Sequence, residues 1–331
     1  MSSRGIPSAN RVQVGLVVAF ASLTHDEQRA VQRVYHCTAT TATCWESAFE
    51  AFGLKPIAGD RRGADILIYL GESSRFEEVA GKGTRRIPVI FVKSTVEKLL
   101  DHAPGVAPRY RMCAGVKAIA HALASAAPLA PTVDWKTLSW PESAASLTRL
   151  DEAEHAFVDT SIRAFRRAAS DRGIRWITAL PPGRQVFSVL LMMHDPAAAM
   201  LADIALRRWP QCTVLAGDGM VATRAPDGAR WPSRLIRVRH WSPRIHSTSN
   251  RLFREAMGDE PLPDFDSSGM LFGTMCFLDS ALAGGAVPAR LEVAGAHPGP
   301  LGPMCMTPSG RPQPQRLVVV RGQRVRVLTI E

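Results

Sequence analysis

Short apolar runs alternate with helix-like stretches along the first half of the chain. Residues 12–20 (VQVGLVVAF), 64–70 (ADILIYL) and 87–92 (IPVIFV) are apolar at nearly every position. Such runs are typical of strands buried on both faces, as in a parallel sheet covered by helices. Residues 24–52 have a helical composition with a break at the threonine-rich TATTATC, and residues 116–125 read as an alanine-rich helix.

The second half repeats the alternation after a stretch rich in Pro, Ala and Ser at residues 126–150, which is typical of a crossover between domains. A helix is predicted over residues 151–172, where Gly173 ends it, and another opens at Asp195-Pro196. The predicted strands have these sequences: VDWKTLSW, IRWITAL, FSVLLMM, CTVLAGDGM and RLIRVRHW.

The end of the chain changes character. Helices are predicted over residues 247–257 and 267–283, followed by a ribbon of two strands, 316–320 and 323–330. The whole pattern predicts an α/β protein of two doubly wound parallel-sheet lobes with a cleft between them and a C-terminal strand ribbon. We expect residues 1–126 plus part of 260–331 to form lobe one. Residues 127–259 are expected to form lobe two.

Polar residues follow four of the predicted strands. They are Gly71-Glu72-Ser73-Ser74, Lys93-Ser94-Thr95, His194-Asp195 and Gly217-Asp218-Gly219. Ligands of open parallel sheets bind outside the carboxyl ends of the strands, so these sets are candidates for a ligand site. The alternative is ordinary turn and helix-cap chemistry, because turns favour Gly, Ser and Asp.

Composition narrows the classes of partner. The net charge is +10, but 34 of the 40 basic residues are arginine and they are spread along the chain. A nucleic-acid binder concentrates its positive charge on one face or tail, so no nucleic-acid partner is expected. The arginine-rich residues 234–251 suit either the solvated face of an edge strand or an acidic ligand, and Trp241 within them is a candidate for packing on a ligand.

Signals for catalysis, cofactors and membranes are absent from the sequence. There is no CxxC, GxSxG, GxGxxG or P-loop pattern, so neither a metal nor a cofactor is predicted. No apolar run approaches the ~20 residues of a membrane span. Residues 1–21 have the outline of a signal peptide, which would imply a periplasmic or extracellular protein. We instead interpret residues 12–20 as a buried strand, which favours the cytoplasm.

The sequence resembles the type I periplasmic binding proteins, whose members include branched-chain amino acid receptors and an amide-sensing regulator. ADILIYLGESS followed by IPVIFVKST is similar to the family's lobe-one pair of strands. HAFVDTSIRAFRRAASDRGIRW and VLLMMHDPAAAMLADIALRRW, with CTVLAGDGMV after them, resemble the core of lobe two. The end resembles the family's closing helix, Gly-Pro-x-Gly-Pro and Pro-Ser-Gly-Arg turns. The glycine-containing loop that usually follows the first strand is missing.

The resemblance implies roles for the residues at the strand ends. Hydroxyls of the Ser73-Ser74 and Ser94-Thr95 pairs would receive a ligand's carboxylate. Asp218, and next Asp195, would receive its ammonium group.

The resemblance implies a solute-binding or ligand-sensing protein that is not an enzyme. It would close two lobes on a small polar molecule, such as an amino acid or amide, for transport or regulation. A transporter or a regulatory protein would be its partner, and a dimer is compatible with this interpretation. The alternatives are a two-domain enzyme of transferase type that uses the cleft, and a partner-docking protein with a vestigial cleft.

Overall fold

The structure is a computed structural model that describes residues 11–19, 23, 25–52, 63–71, 76, 85–95, 100, 105–258, 265–293 and 295–330. Within these residues the elements in chain order are β1 Val12–Val18, α1 His25–Thr41, β2 Trp45–Phe52, β3 Ile66–Leu70, β4 Val89–Phe91, β5 Arg109–Arg111, α2 Val116–Ala126, β6 Thr132–Asp134, α3 Glu152–Ser170, β7 Phe187–Leu191, α4 Ala197–Arg208, β8 Cys212–Ala216, β9 Leu235–Arg239, α5 Thr248–Met257, α6 Asp266–Ala283, β10 His297–Gly299, β11 Gly302–Met306, β12 Pro312–Gln313, β13 Gln315–Arg321 and β14 Arg324–Ile330.

Contacts between Cα atoms divide the chain into two compact units. Unit 1 comprises Met1–Gly115 and Trp241–Gln315, and unit 2 comprises Val116–His240 and Arg316–Glu331. These bounds differ from the expected lobes at two places, because helix α2 belongs to unit 2 and the chain returns to unit 1 at Trp241. The expectation assigned only part of 260–331 to lobe one, and the final ribbon joins unit 2.

Unit 1 contains a five-stranded parallel sheet in the order β2-β1-β3-β4-β5. Side chains of β1 alternate between two buried clusters, because successive residues of a strand point to opposite faces. Val14, Leu16 and Val18 pack in a large core with α1, α5 and α6, while Val17 belongs to a smaller cluster with Phe91. Burial of both faces explains the unbroken apolar runs of the sequence. A small antiparallel sheet, β10-β11-β12, completes the described part of unit 1.

Unit 2 contains a six-stranded mixed sheet in the order β14-β13-β9-β8-β7-β6. Strands β6 to β9 are parallel, and β13 runs antiparallel to β9. The predicted helix over 151–172 is α3, which begins with a capping box in which the Asp151 and Glu154 side chains accept each other's backbone N–H. It ends before Gly173, whose φ of 72° is readily adopted by glycine.

The prediction of helical structure through residue 52 is wrong after α1. Residues Trp45–Phe52 form β2, a strand parallel to β1. The Asp279 carboxylate of α6 accepts hydrogen bonds of 2.9 and 2.8 Å from the backbone N–H groups of Thr43 and Cys44, and so fixes the turn. Tertiary contacts made by a residue more than 230 positions away therefore override the local composition.

Two predicted strands of the second half are much shorter than expected. VDWKTLSW contributes only Val133 and Asp134, the last two residues of β6, because the Asp134 side chain accepts the N–H of Thr137 at 3.2 Å and starts a short 3₁₀ helix. IRWITAL makes only an isolated bridge, in which Trp176 lies beside Thr132. The proline-rich residues that follow cannot continue a ladder of hydrogen bonds.

The arginine-rich strand is interior and not an edge. β9 lies between β8 and β13, and Arg237 and Arg239 are only 4% and 2% exposed. Strand β13 of the C-terminal ribbon pairs with the edge of β9 opposite β8, so this edge is not exposed as the sequence pattern predicted. Within the described residues, no helix combines the length and the hydropathy needed to cross a membrane.

Candidate functional site

The first candidate surface is the carboxyl edge of the unit 1 sheet. Ser94 and Thr95 follow β4 there and are buried, with 2% and 7% of their surface exposed. The Cys113 thiol donates to the Ser94 carbonyl at 3.0 Å, and the Arg111 guanidinium donates to the Thr95 carbonyl at 3.3 Å. The backbone that carries the two hydroxyls is therefore held by the last residue of the neighbouring strand β5 and by a residue shortly after it.

The glycine at the end of β3 has a packing role. A Cβ at Gly71 would lie 2.7 Å from the Cβ of Ala19 and 2.8 Å from the hydroxyl of Tyr69. Real Cβ atoms do not approach this closely, so the strand has to end in glycine beside β1. Ser73 and Ser74, the first predicted pair of ligand-binding hydroxyls, lie outside the described residues.

Asp195 follows β7 at the carboxyl edge of the unit 2 sheet and links two loops and a helix. Its carboxylate accepts the N–H of Ala199 at 3.0 Å and those of Val221 and Ala222 at 2.8 and 2.6 Å. Three backbone donors leave little acceptor capacity for a ligand. The N-cap of α4 is Pro196, one residue later than the sequence predicts, and the bond from Ala199 ties Asp195 to the first turn of that helix. The other two bonds tie it to the loop after β8.

The protonation of Asp195 predicts a pH dependence of stability. Burial raises the pKa of Asp195, against the lowering effects of its three amide donors and of Arg237. The raised pKa means that the folded state holds this proton more tightly than the unfolded state does. The resulting stabilisation is full below the unfolded pKa and is lost as pH rises through the folded pKa.

We therefore expect the stability advantage of the unaltered chain over Asp195→Asn to be larger at pH 3.5 than at pH 7. Chemical unfolding of both chains at both pH values measures this difference, since other groups titrate equally in the two. An advantage that grows with pH would contradict the assigned direction.

Asp218 follows β8 and is paired with a histidine. Its Oδ2 lies 3.0 Å from Nε2 of His240, the residue after β9, and both side chains are buried. The flanking glycines allow this loop to pack tightly against the end of β7. A Cβ at Gly219 would lie 2.5 Å from the Met193 carbonyl oxygen, and one at Gly217 would lie 3.0 Å from the sulfur of Met192.

Trp241 has a packing role in unit 1 that differs from the predicted ligand contact. It is fully buried, its indole N–H donates to Asn250 Oδ1 at 2.6 Å, and its ring packs on Phe253 at 5.7 Å between centroids. Gly269 of α6 lies directly against the indole ring. The indole is thus enclosed by core residues and its one donor is engaged.

The sequence reasoning missed Arg111, Cys113 and His240 as parts of these edges. The available signal was positional, because each residue lies at or within two residues of the end of a strand that neighbours a strand already carrying a candidate. Within the described residues, no cluster of three or more His, Cys, Asp or Glu side chains is arranged to hold a metal ion.

Comparisons of the sequence with known protein families and with curated proteins find no match. Solved structures do match. A leucine-binding protein from Thermotoga maritima is 13% identical, with a TM-score of 0.66 over 97% of this chain and 99% of its own. The chain has the type I periplasmic binding protein fold. The two-lobe α/β prediction is therefore confirmed.

Other structures with this fold carry different ligands. A branched-chain amino acid binding protein from Streptococcus pneumoniae, solved with isoleucine, is 10% identical with a TM-score of 0.68 over 97% of this chain and 100% of its own. A solute-binding protein from Rhodopseudomonas palustris, solved with 3,4-dihydroxybenzoic acid, is 11% identical with a TM-score of 0.67 over 97% of this chain and 96% of its own. Both are named as binding proteins of transporters.

Proposed function

We propose that this chain is a solute-binding or ligand-sensing protein that holds a small polar organic molecule, for transport or regulation. The observation that carries the proposal is the combination of the type I periplasmic binding protein fold with buried hydroxyls at the carboxyl end of β4. Ser94 and Thr95 lie where ligands of parallel sheets bind. Their backbone is fixed, so little conformational freedom would be lost on binding.

The names of the similar structures favour binding over turnover. They are called substrate-binding or solute-binding proteins of ABC transporters, and their bound molecules include leucine, isoleucine and benzoate. Binding without chemical change is the simplest function for this chain too. A transferase-type enzyme and a partner-docking protein stay as the alternative predictions.

The partner protein and the cellular compartment are further parts of the proposal. A transporter would be the partner if the protein delivers its ligand, and a regulatory protein would be the partner if it senses the ligand. One similar protein is named as periplasmic. The cytoplasmic placement expected from the sequence finds no support among these names, and it stays a prediction together with its periplasmic alternative.

A thermal-shift screen tests the proposal. A ligand at 100 times its dissociation constant stabilises the folded state by about 2.7 kcal/mol, which raises the melting temperature by a few degrees. We expect a small organic acid, amino acid or amide to produce such a shift in the unaltered chain. We expect the shift to be lost in the double variant Ser94→Ala/Thr95→Ala, because two donors to the ligand are removed.

A matched control separates a lost contact from general damage. Thr40→Ala/Thr41→Ala removes two exposed hydroxyls of the same unit, at the end of α1, and should keep the ligand-induced shift. A ligand that shifts both double variants equally would show that Ser94 and Thr95 do not contact it. A complete absence of shifts across the library would contradict the proposed function.

A further inference from the structure

The amino-terminal edge of the unit 2 sheet is where β6, β7 and β8 begin, and the loops that lead into these strands lie side by side there. The N–H of Ser188 donates to the Pro131 carbonyl at 2.8 Å, and the N–H of Thr132 donates to the Arg175 carbonyl at 2.8 Å. The parallel register pairs Thr132 with Ser188. All of these residues belong to unit 2, and the structure describes every residue of 105–258.

Large apolar side chains are exposed on these loops. Leu129, three residues before β6, is 77% exposed, and Val186, directly before β7, is 56% exposed. Leu180 lies in the same connection as Val186 and is 39% exposed. These are three of the five large apolar side chains that are exposed in the described part of the chain. Single exposed apolar residues are ordinary, but their concentration in two neighbouring loops is typical of an interaction surface.

Exposed arginines lie in or beside the same loops. Arg172 and Arg175 lie between the end of α3 and the bridge made by Trp176, and Arg184 lies two residues before β7 begins its last approach at residue 186. Asp171 is the one acidic residue in the stretch 160–186. This part of the amino-terminal edge therefore carries a net positive charge.

The β13-β14 hairpin adds two more exposed arginines at this edge. The Nε–H of Arg321 donates at 3.2 Å to the carbonyl of Ser233, which lies two residues before β9, and Arg324 opens β14. Among the described residues, no carboxylate forms an ion pair with any of the five arginines. Their charges therefore face solvent without a partner from the described chain.

Basic side chains around protruding apolar ones suit the surface of an anionic bilayer. Arginine contacts lipid phosphates, and apolar side chains insert at the boundary between headgroups and acyl chains. An acidic protein would also attract the arginines, but it would need pockets shaped for apolar side chains that lie on separate loops. A bilayer accommodates such side chains without matching their shape, so the observations favour a membrane over a protein.

We propose that the amino-terminal edge of the unit 2 sheet binds the surface of an anionic lipid bilayer, with Leu129 and Val186 inserted among the headgroups and the arginines on lipid phosphates. The carboxyl edge of the same sheet, with Asp195 and Asp218, lies at the opposite ends of the parallel strands. It would therefore stay directed away from the membrane. This role goes beyond the proposed function and does not depend on it.

Sedimentation with vesicles tests the inference on the full, unaltered chain. Vesicles of phosphatidylcholine alone are compared with vesicles of equal parts phosphatidylcholine and phosphatidylglycerol. We expect binding to the anionic vesicles to be stronger by at least about tenfold, because the contributions of several arginines at an anionic surface add up. Raising the salt from about 0.1 M to about 1 M shortens the Debye length from ~10 Å to ~3 Å and should reduce this binding.

A pair of charge reversals tests the position of the surface. Arg175→Glu/Arg324→Glu should weaken binding to the anionic vesicles by at least about tenfold. Lys117→Glu/Arg149→Glu is the matched control, because it makes the same change of charge at two exposed residues of unit 2. Lys117 lies in the first turn of α2 and Arg149 lies before α3, at the ends of these helices far from the edge.

The control should lose little binding, because the two helices are 11 and 19 residues long and so span about 16 and 28 Å. Charges at such distances from a bilayer are largely screened. Equal losses in the two double variants would show a general effect of net charge and would overturn the inference.

A second variant tests the apolar contacts. Leu129→Ser/Val186→Ser should weaken binding by about fivefold or more, because two apolar side chains no longer leave water. Both side chains are exposed, so the fold should be kept. Val287→Ser, at a side chain of unit 1 that is 51% exposed, is the control and should leave binding unchanged.

The unaltered chain decides the question even if a variant fails to fold. Binding to anionic vesicles that weakens with salt supports the inference. Failure to bind these vesicles, or equal binding to vesicles of phosphatidylcholine alone, would overturn it, and failure to bind would leave an acidic protein as the partner to test. None of these results bears on the thermal-shift screen, so the proposed function stands or fails separately.

Discussion

Replacing Gly269 by alanine is expected to destabilise the protein by about 3 kcal/mol, because the new methyl group would overlap the indole ring of Trp241. The indole ring is held in place by hydrogen bonds. Its N–H is bound to Asn250, whose amide also donates to the carbonyls of Ser242 and Ile245 at 2.8 Å. Overpacking at a site held by several hydrogen bonds can be relieved only by moving backbone or breaking those bonds.

Chemical unfolding of the purified variant measures this effect. Gly295→Ala is the matched control in the same unit, since a Cβ there meets nothing within 4 Å. It should change the free energy of unfolding by less than about 0.5 kcal/mol. A Gly269→Ala variant as stable as this control would show that the indole is not confined as described.

Replacing Asp195 by alanine should cost about 3 kcal/mol of unfolding free energy, because three backbone N–H groups lose their acceptor together. Arg237 would also lose a nearby negative charge. The variant should loosen the loop after β8, where Val221 and Ala222 lie. Hydrogen exchange of these two amides measures that opening, and unfolding experiments measure the total effect.

Asp203→Ala provides the comparison for Asp195→Ala. Asp203 pairs with Arg207 one turn along α4 at 2.9 Å, and Arg207 is 61% exposed. Surface pairs of this kind contribute less than about 1 kcal/mol, so its loss should be small. Equal effects from the two replacements would contradict a structural role for Asp195 at the edge of the sheet.

The sequence predicted where the candidate residues lie in the fold better than it predicted which partners they bind. The sequence placed Ser94, Thr95, Asp195 and Asp218 at strand ends, and the structure shows each of them after its predicted strand. Their partners were not predictable, since His240 and Arg111 reach them across neighbouring strands. Trp241 shows the same limit: a tryptophan beside arginines has no sequence signal for burial, and only its contacts with Asn250 and Gly269 reveal it.

The sequence by itself determined the fold class and most of the elements. Period and composition act locally, so unbroken apolar runs identified β1, β3, β4, β7 and β8, and cap residues identified α3 and α4. Only the tertiary structure decided what depends on distant pairing. Asp279 ended α1 and allowed β2 to form, and the ribbon β13-β14 turned the arginine-rich β9 into an interior strand. These contacts join residues from about 80 to more than 230 positions apart, a range over which local preference carries no information.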